Sequence, residues 1–91
     1  MQPIGKALDK FIKAYRLKEP MATHNIAESW AVIMGPMIAK HTLKVYIRHR
    51  KLYIHVDSAA LRNELEYSTT KIIELVNEHS KMNLVSEVVV C

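Results

Sequence analysis

The sequence predicts a small α+β domain: a three-stranded sheet with helices packed on one face, in the order α-α-(short α)-β-β-α-β. Three observations carry that prediction. Apolar residues recur at helical spacing in three separate stretches. Between the second and third of these, residues 43–57 switch to strict alternation, the period of strands. The final stretch "LVSEVVV", residues 84–90, has the β-branched density of one more strand. A chain of 91 residues makes one domain, 1–91. A domain this small buries only about two-thirds of its unfolded surface, so each core side chain matters.

The elements follow in order. Ile4, Ala7, Leu8, Phe11, Ile12 and Tyr15 form one face of an amphipathic N-terminal helix within residues 1–18, with lysines on the other face. Pro3 suits its first turn. Lys18-Glu19-Pro20 is expected to end it, because the residue before a proline is pushed out of helical geometry. A second stripe runs through Ile26, Trp30, Ile33, Met34, Met37, Ile38 and His41, with Thr23 or Asn25 available to cap its start. This stripe passes through Gly35-Pro36, which inside a continuous helix would cost about 1 and 3 kcal/mol. Gly35 ending one helix and Pro36 opening a short second one avoids that cost and keeps the stripe on the core. Trp30, at the head of an unbroken stripe, is read as core.

Leu43, Val45 and Ile47 then alternate with Lys44, Tyr46 and Arg48, and Leu52, Ile54 and Val56 alternate with Tyr53, His55 and Asp57. The two runs read as a hairpin with Leu43, Val45, Ile47, Ile54 and Val56 pointing inward. Its apolar sets coincide only if paired residue numbers sum to an odd value, such as Ile47 with Ile54, so the loop has an even length. No Gly or Asn is present for a two-residue turn, and a four-residue loop, His49 to Leu52, on a type I turn is expected. Ser58 is a plausible N-cap for a long helix over 59–79, marked by Leu61, Leu65, Ile72, Leu75 and Val76. Ser68-Thr69-Thr70 is its weak point, where it bends or divides.

Composition limits the function classes. No stretch approaches the roughly 20 apolar residues of a membrane span, and the N-terminal residues lack the apolar block of a signal peptide. The one cysteine, Cys91, allows no internal disulfide and no cysteine-based metal cluster, which fits a cytoplasmic protein. Five histidines are present, but none belongs to a HExxH motif or pairs with another at i+4, so no metal site is predicted. His41, on the apolar stripe, reads as a satisfied, half-buried histidine. Nucleophile elbows and Gly-rich phosphate loops are absent, no cofactor is implied, and an enzyme is not expected.

The net charge of +4 is unevenly placed. Residues 40–51 carry Lys40, Lys44, Arg48, Arg50 and Lys51 with no acid, while residues 57–91 hold most of the carboxylates. If the alternate hairpin residues point inward, Lys44, Tyr46, Arg48, Tyr53 and His55 share the opposite face, and Arg50 and Lys51 extend it at the loop. Cations interleaved with tyrosines suit nucleic acid, the cations meeting phosphates and the rings stacking on bases. The candidate nucleic-acid-binding residues are therefore Lys40, Lys44, Tyr46, Arg48, Arg50, Lys51 and Tyr53. A solvated sheet with cross-strand tyrosine packing is the competing reading.

Several short motifs, in order, resemble one known family. They are Trp30, Met34-Gly35, "IAKHT" at 38–42, "LYIHVDS" at 52–58, "LRNEL" at 61–65 and "IIELVN" at 72–77. Together they resemble the DciA-like family over residues 26–90. The resemblance implies a bacterial protein with a KH-like fold that partners the replicative DNA helicase, assists its loading, and contacts single-stranded or duplex DNA. The family's earlier description as RNA-binding adds RNA as an alternative ligand. The GxxG loop of KH domains is absent, so their way of gripping a backbone is not carried over. Many members also append a long polar extension that this sequence lacks.

Overall fold

The computed structural model describes residues 19–91, and the helix expected within residues 1–18 lies outside them. Helical geometry is already present at Glu19 and Pro20, so these residues belong to a helix, α1 (residues 19–28), and do not end one. Thr23 and Asn25 consequently sit inside α1 and not at its cap. The Thr23 hydroxyl serves the sheet instead, accepting the Ile47 backbone N–H at 3.0 Å. That N–H lies on the outer edge of the first strand, where no described strand offers a carbonyl, and an unpaired buried donor is costly.

The stripe through Gly35-Pro36 resolves as expected into α2 (Trp30–Met34) and α3 (Pro36–Lys40). Gly35 stands between them at φ 92, ψ 153, and Pro36 opens α3. Trp30 is 3% exposed. Its indole N–H donates to the Thr42 hydroxyl at 2.9 Å, and that hydroxyl donates to the Ile38 carbonyl at 2.7 Å. The core therefore takes the ring while its one polar atom is satisfied. Met37 is 71% exposed and leaves the stripe, because the break at Gly35 resets the helical phase.

Strand β1 (Thr42–Arg48) pairs antiparallel with β2 (Lys51–Val56). Ile47 faces Leu52, Tyr46 faces Tyr53 and Arg48 faces Lys51. The even loop is correct, but it has two residues and not four, and Ile47 does not pair with Ile54. The turn is His49-Arg50, with φ of 52 and 64. Both residues occupy the left-handed region that this hairpin turn demands and that Asn-Gly usually supplies. The register shifts between Thr42 and Lys44, so Leu43 falls in an irregularity and is 69% exposed instead of inward.

Ser58 caps α4 (Ala59–Glu66), its hydroxyl accepting the Leu61 N–H at 3.3 Å. The expected long helix divides at Tyr67-Ser68, and α5 (Thr69–Ser80) follows. This pair forms the crossover that a parallel connection requires. The last strand, β3 (Glu87–Val90), lies parallel to β2 on the side away from β1, giving a mixed sheet of order β1-β2-β3. Leu84 and Val85 precede the strand and are buried. Asn77 of α5 holds them: its carbonyl oxygen accepts the Leu84 and Val85 N–H groups, both at 2.9 Å, and its amide donates to the Val85 carbonyl at 3.0 Å.

The core joins Ile47, Leu52, Ile54 and Val56 of the sheet to Ile26, Trp30, Leu61, Leu65, Ile72 and Val76 of the helices. The described helices thus cover one sheet face, and the alternate residues point to the other.

Candidate nucleic-acid interface

Alternation along β1 and β2 puts Lys44, Tyr46, Tyr53 and His55 on the face opposite the core. Register then decides which side chains meet. Tyr46 lies directly across from Tyr53, and their rings stack with centroids 4.8 Å apart and planes 9° from parallel. His55 joins the same stack, 5.7 Å from the Tyr46 ring at 24°. The Lys44 ammonium sits over Tyr46, 4.9 Å from its centroid, at cation–π range. The centre of this face is thus an aromatic ladder carrying a cation. Lys44 is exposed, and Tyr46, Tyr53 and His55 are half-buried.

Arg48 and Lys51 close the hairpin as its final pair. Arg48 is exposed. Lys51 meets Glu87 of β3, Nζ to Oε2 at 3.5 Å, so a carboxylate bounds the cationic strip on the β3 side. Both side chains are largely in solvent, where such a pair is worth little and gives way to a competing anion. Arg50 behaves differently. It is half-buried, its guanidinium donates to the Asn83 carbonyl at 3.1 Å, and its own carbonyl accepts the Ser86 N–H at 2.9 Å. The side chain fastens the turn to the segment before β3. Lys40 is exposed in the last turn of α3.

The structure therefore brings Lys44, Tyr46, Tyr53, Arg48 and Lys51 together on the hairpin, leaves Lys40 on α3, and ties the Arg50 side chain to the segment before β3. Two contributors went unassigned in the sequence. His55 was placed on this face but not given a role, although its diagonal position to Tyr46 is implicit in the alternation. Glu87 enters through β3, and only the parallel register reveals that it stands beside Lys51.

Other polar groups are engaged elsewhere. His41 Nδ1 lies 3.0 Å from Asp57 Oδ1, which matches its reading as a half-buried, satisfied histidine. Among the described residues no group of three His, Cys, Asp or Glu is placed to hold a metal ion. No described helix is long and apolar enough to cross a membrane.

Sequence comparison now bears on the identity of this helix-backed sheet. The family described as "Dna[CI] antecedent, DciA" matches residues 3–90, nearly the whole chain. The chain belongs to the DciA family. This family is associated with loading of the replicative helicase and is not a known enzyme family. A UPF0232 protein of Corynebacterium glutamicum (strain R) is 27% identical over 86 residues, covering 94% of this chain and 48% of the relative. The chain thus spans about half the length of that DciA-type relative. No solved structure matches.

Proposed function

We propose that this chain is a non-enzymatic accessory factor of DNA replication, one that associates with the replicative helicase and contacts nucleic acid without sequence preference through the outer face of its hairpin. Membership of the DciA family supports the helicase partner. The nucleic-acid role rests on one observation: Lys44, Arg48 and Lys51 flank a Tyr46–Tyr53–His55 ring stack on the sheet face that the core does not use. Cations of this kind meet phosphates, and phosphates carry no sequence information. The ring stack favours unpaired bases, which alone offer a free face. Tyr46 and Tyr53 already give one face to each other, so a base adds to the end of the ladder.

The KH-related fold implied by the resemblance belongs to this proposal, as does one domain over residues 1–91. The helix-backed three-stranded sheet supports the first, and the family match over residues 3–90 supports the second. The reading of the protein as cytoplasmic, where a replication partner would meet it, also belongs to the proposal.

A capture experiment with purified replicative helicase, run beside binding to single-stranded DNA, duplex DNA and RNA, tests the proposal. It predicts helicase capture, with DNA bound in the order single strand before duplex. Tight RNA binding without helicase capture would replace it with the RNA-binding alternative.

A further inference from the structure

We propose that Glu19 is a positioning residue for the hairpin interface: its carboxylate latches the His49-Arg50 turn in a shape those two residues do not favour alone. The inference rests on the nucleic-acid reading above and adds how that site is held in shape.

The hairpin tip is strained in a defined way. His49 and Arg50 both adopt left-handed φ, 52 and 64, where a side chain crowds its own backbone. Turns of this type normally carry Asn-Gly, which occupies that region at little cost. Such a conformation persists when its surroundings over-determine it, and such sites are often functional. Here the restraints come from two sides. From the β3 side, the Ser86 N–H donates to the Arg50 carbonyl, and the Arg50 guanidinium reaches the Asn83 carbonyl. From the α1 side, Glu19 Oε1 accepts the His49 N–H at 2.9 Å, a charge-assisted bond to the turn itself. Farther along α1, Thr23 holds Ile47. Helix α1 is therefore fastened along the end of β1 that leads into the turn.

Arg48 and Lys51 are the pair that this turn joins, so its geometry sets how they are presented to a phosphate backbone. This makes Glu19 unusual. As a negative charge bonded to a cationic tip, it should oppose phosphate binding. As a latch, it should favour binding by sparing the ligand the cost of ordering the turn. The two roles predict opposite signs on truncation, and Gln separates them, because its amide oxygen can still accept the His49 N–H while the charge is gone.

The test uses fluorescence anisotropy with labelled oligothymidine at constant salt. The variants are E19Q, E19A, H49N and the double variant E19A/H49N. We expect E19Q to bind at least as tightly as wild type. E19A should bind about three- to tenfold more weakly, because the ligand must then bear the cost of ordering the turn. Asn tolerates the left-handed region, so in the H49N background the loss from E19A should shrink to less than about twofold. E19A binding as tightly as E19Q, or an E19A loss undiminished by H49N, would overturn the latch. Amide exchange at His49 supplies a readout independent of ligand: it should accelerate in E19A and not in E19Q, and equal exchange in all three proteins would also overturn the latch. Absence of binding by the wild-type chain would fall on the interface, leaving amide exchange to judge the latch alone.

Discussion

Replacing Trp30 separates a core role from a partner-binding role. The residue is 3% exposed, its ring joins Ile26 and the sheet residues in one cluster, and its N–H is spent on Thr42. Trp30→Ala should therefore cost about 3–5 kcal/mol, as for other buried aromatics. Trp30→Phe keeps most of the ring but removes the donor to Thr42, whose hydroxyl still donates to Ile38. Its cost should be smaller, about 1–2 kcal/mol, mainly the lost hydrogen bond. A domain of this size holds about 5–14 kcal/mol in total, so the Ala variant sits near the threshold of folding. Urea denaturation followed by circular dichroism at 222 nm is the assay, since the fluorophore is gone. With a slope of about 1 kcal/mol per molar, the Ala variant's midpoint should fall by about 3 M or more. An unchanged midpoint accompanied by loss of helicase capture would refute the packing argument and make Trp30 a partner anchor.

Four further outcomes are expected. Gly35→Ala should destabilise by about 1–3 kcal/mol through its backbone at φ 92, ψ 153 alone, since nothing lies within 4 Å of the added Cβ. Pro36→Ala should stay within about 1 kcal/mol of wild type in the same melts, because the proline opens a helix instead of interrupting one. Asn77→Ala should cost about 2–4 kcal/mol by urea melt, leaving the Leu84 and Val85 N–H groups without their acceptor. Tyr53→Ala should weaken single-strand binding in anisotropy titrations more than duplex binding, with about 1–3 kcal/mol per stacked base as the ceiling.

Much of the fold was legible because the signals were periodic. The helical stripe placed Trp30 in the core, Gly-Pro could be solved in only one inexpensive way, and alternation fixed which hairpin residues face inward. What the sequence withheld depended on tertiary contacts. A two-residue turn seemed excluded without Gly or Asn, yet Glu19, Asn83 and Ser86 together hold His49 and Arg50 in left-handed geometry. Thr23 looked like a helix cap because its use as an acceptor for an edge strand has no local signature. Leu43 and Met37 matched their patterns but left the core where a strand irregularity and a helix break shifted the phase. For the candidate interface, the cations and rings of the hairpin were legible, but not which of them meet. The basic run singled out the hairpin, whereas the inward turn of Arg50 and the pairing of Lys51 with Glu87 required the position of β3.

The nucleic-acid face is tested most directly by the salt dependence of binding. A Lys44→Ala/Arg48→Ala/Lys51→Ala triple variant removes the hairpin cations and leaves the Arg50 and Glu19 ties to the turn in place. Its fold can be checked by circular dichroism and its affinity for single-stranded DNA measured across a range of salt. Loss of up to three phosphate contacts should shrink the slope of log K against log salt by about 2–3 units. Affinity should fall by a similar factor for unrelated sequences. A folded triple variant that keeps both its affinity and its salt slope would contradict the hairpin interface and leave only the protein-partner role.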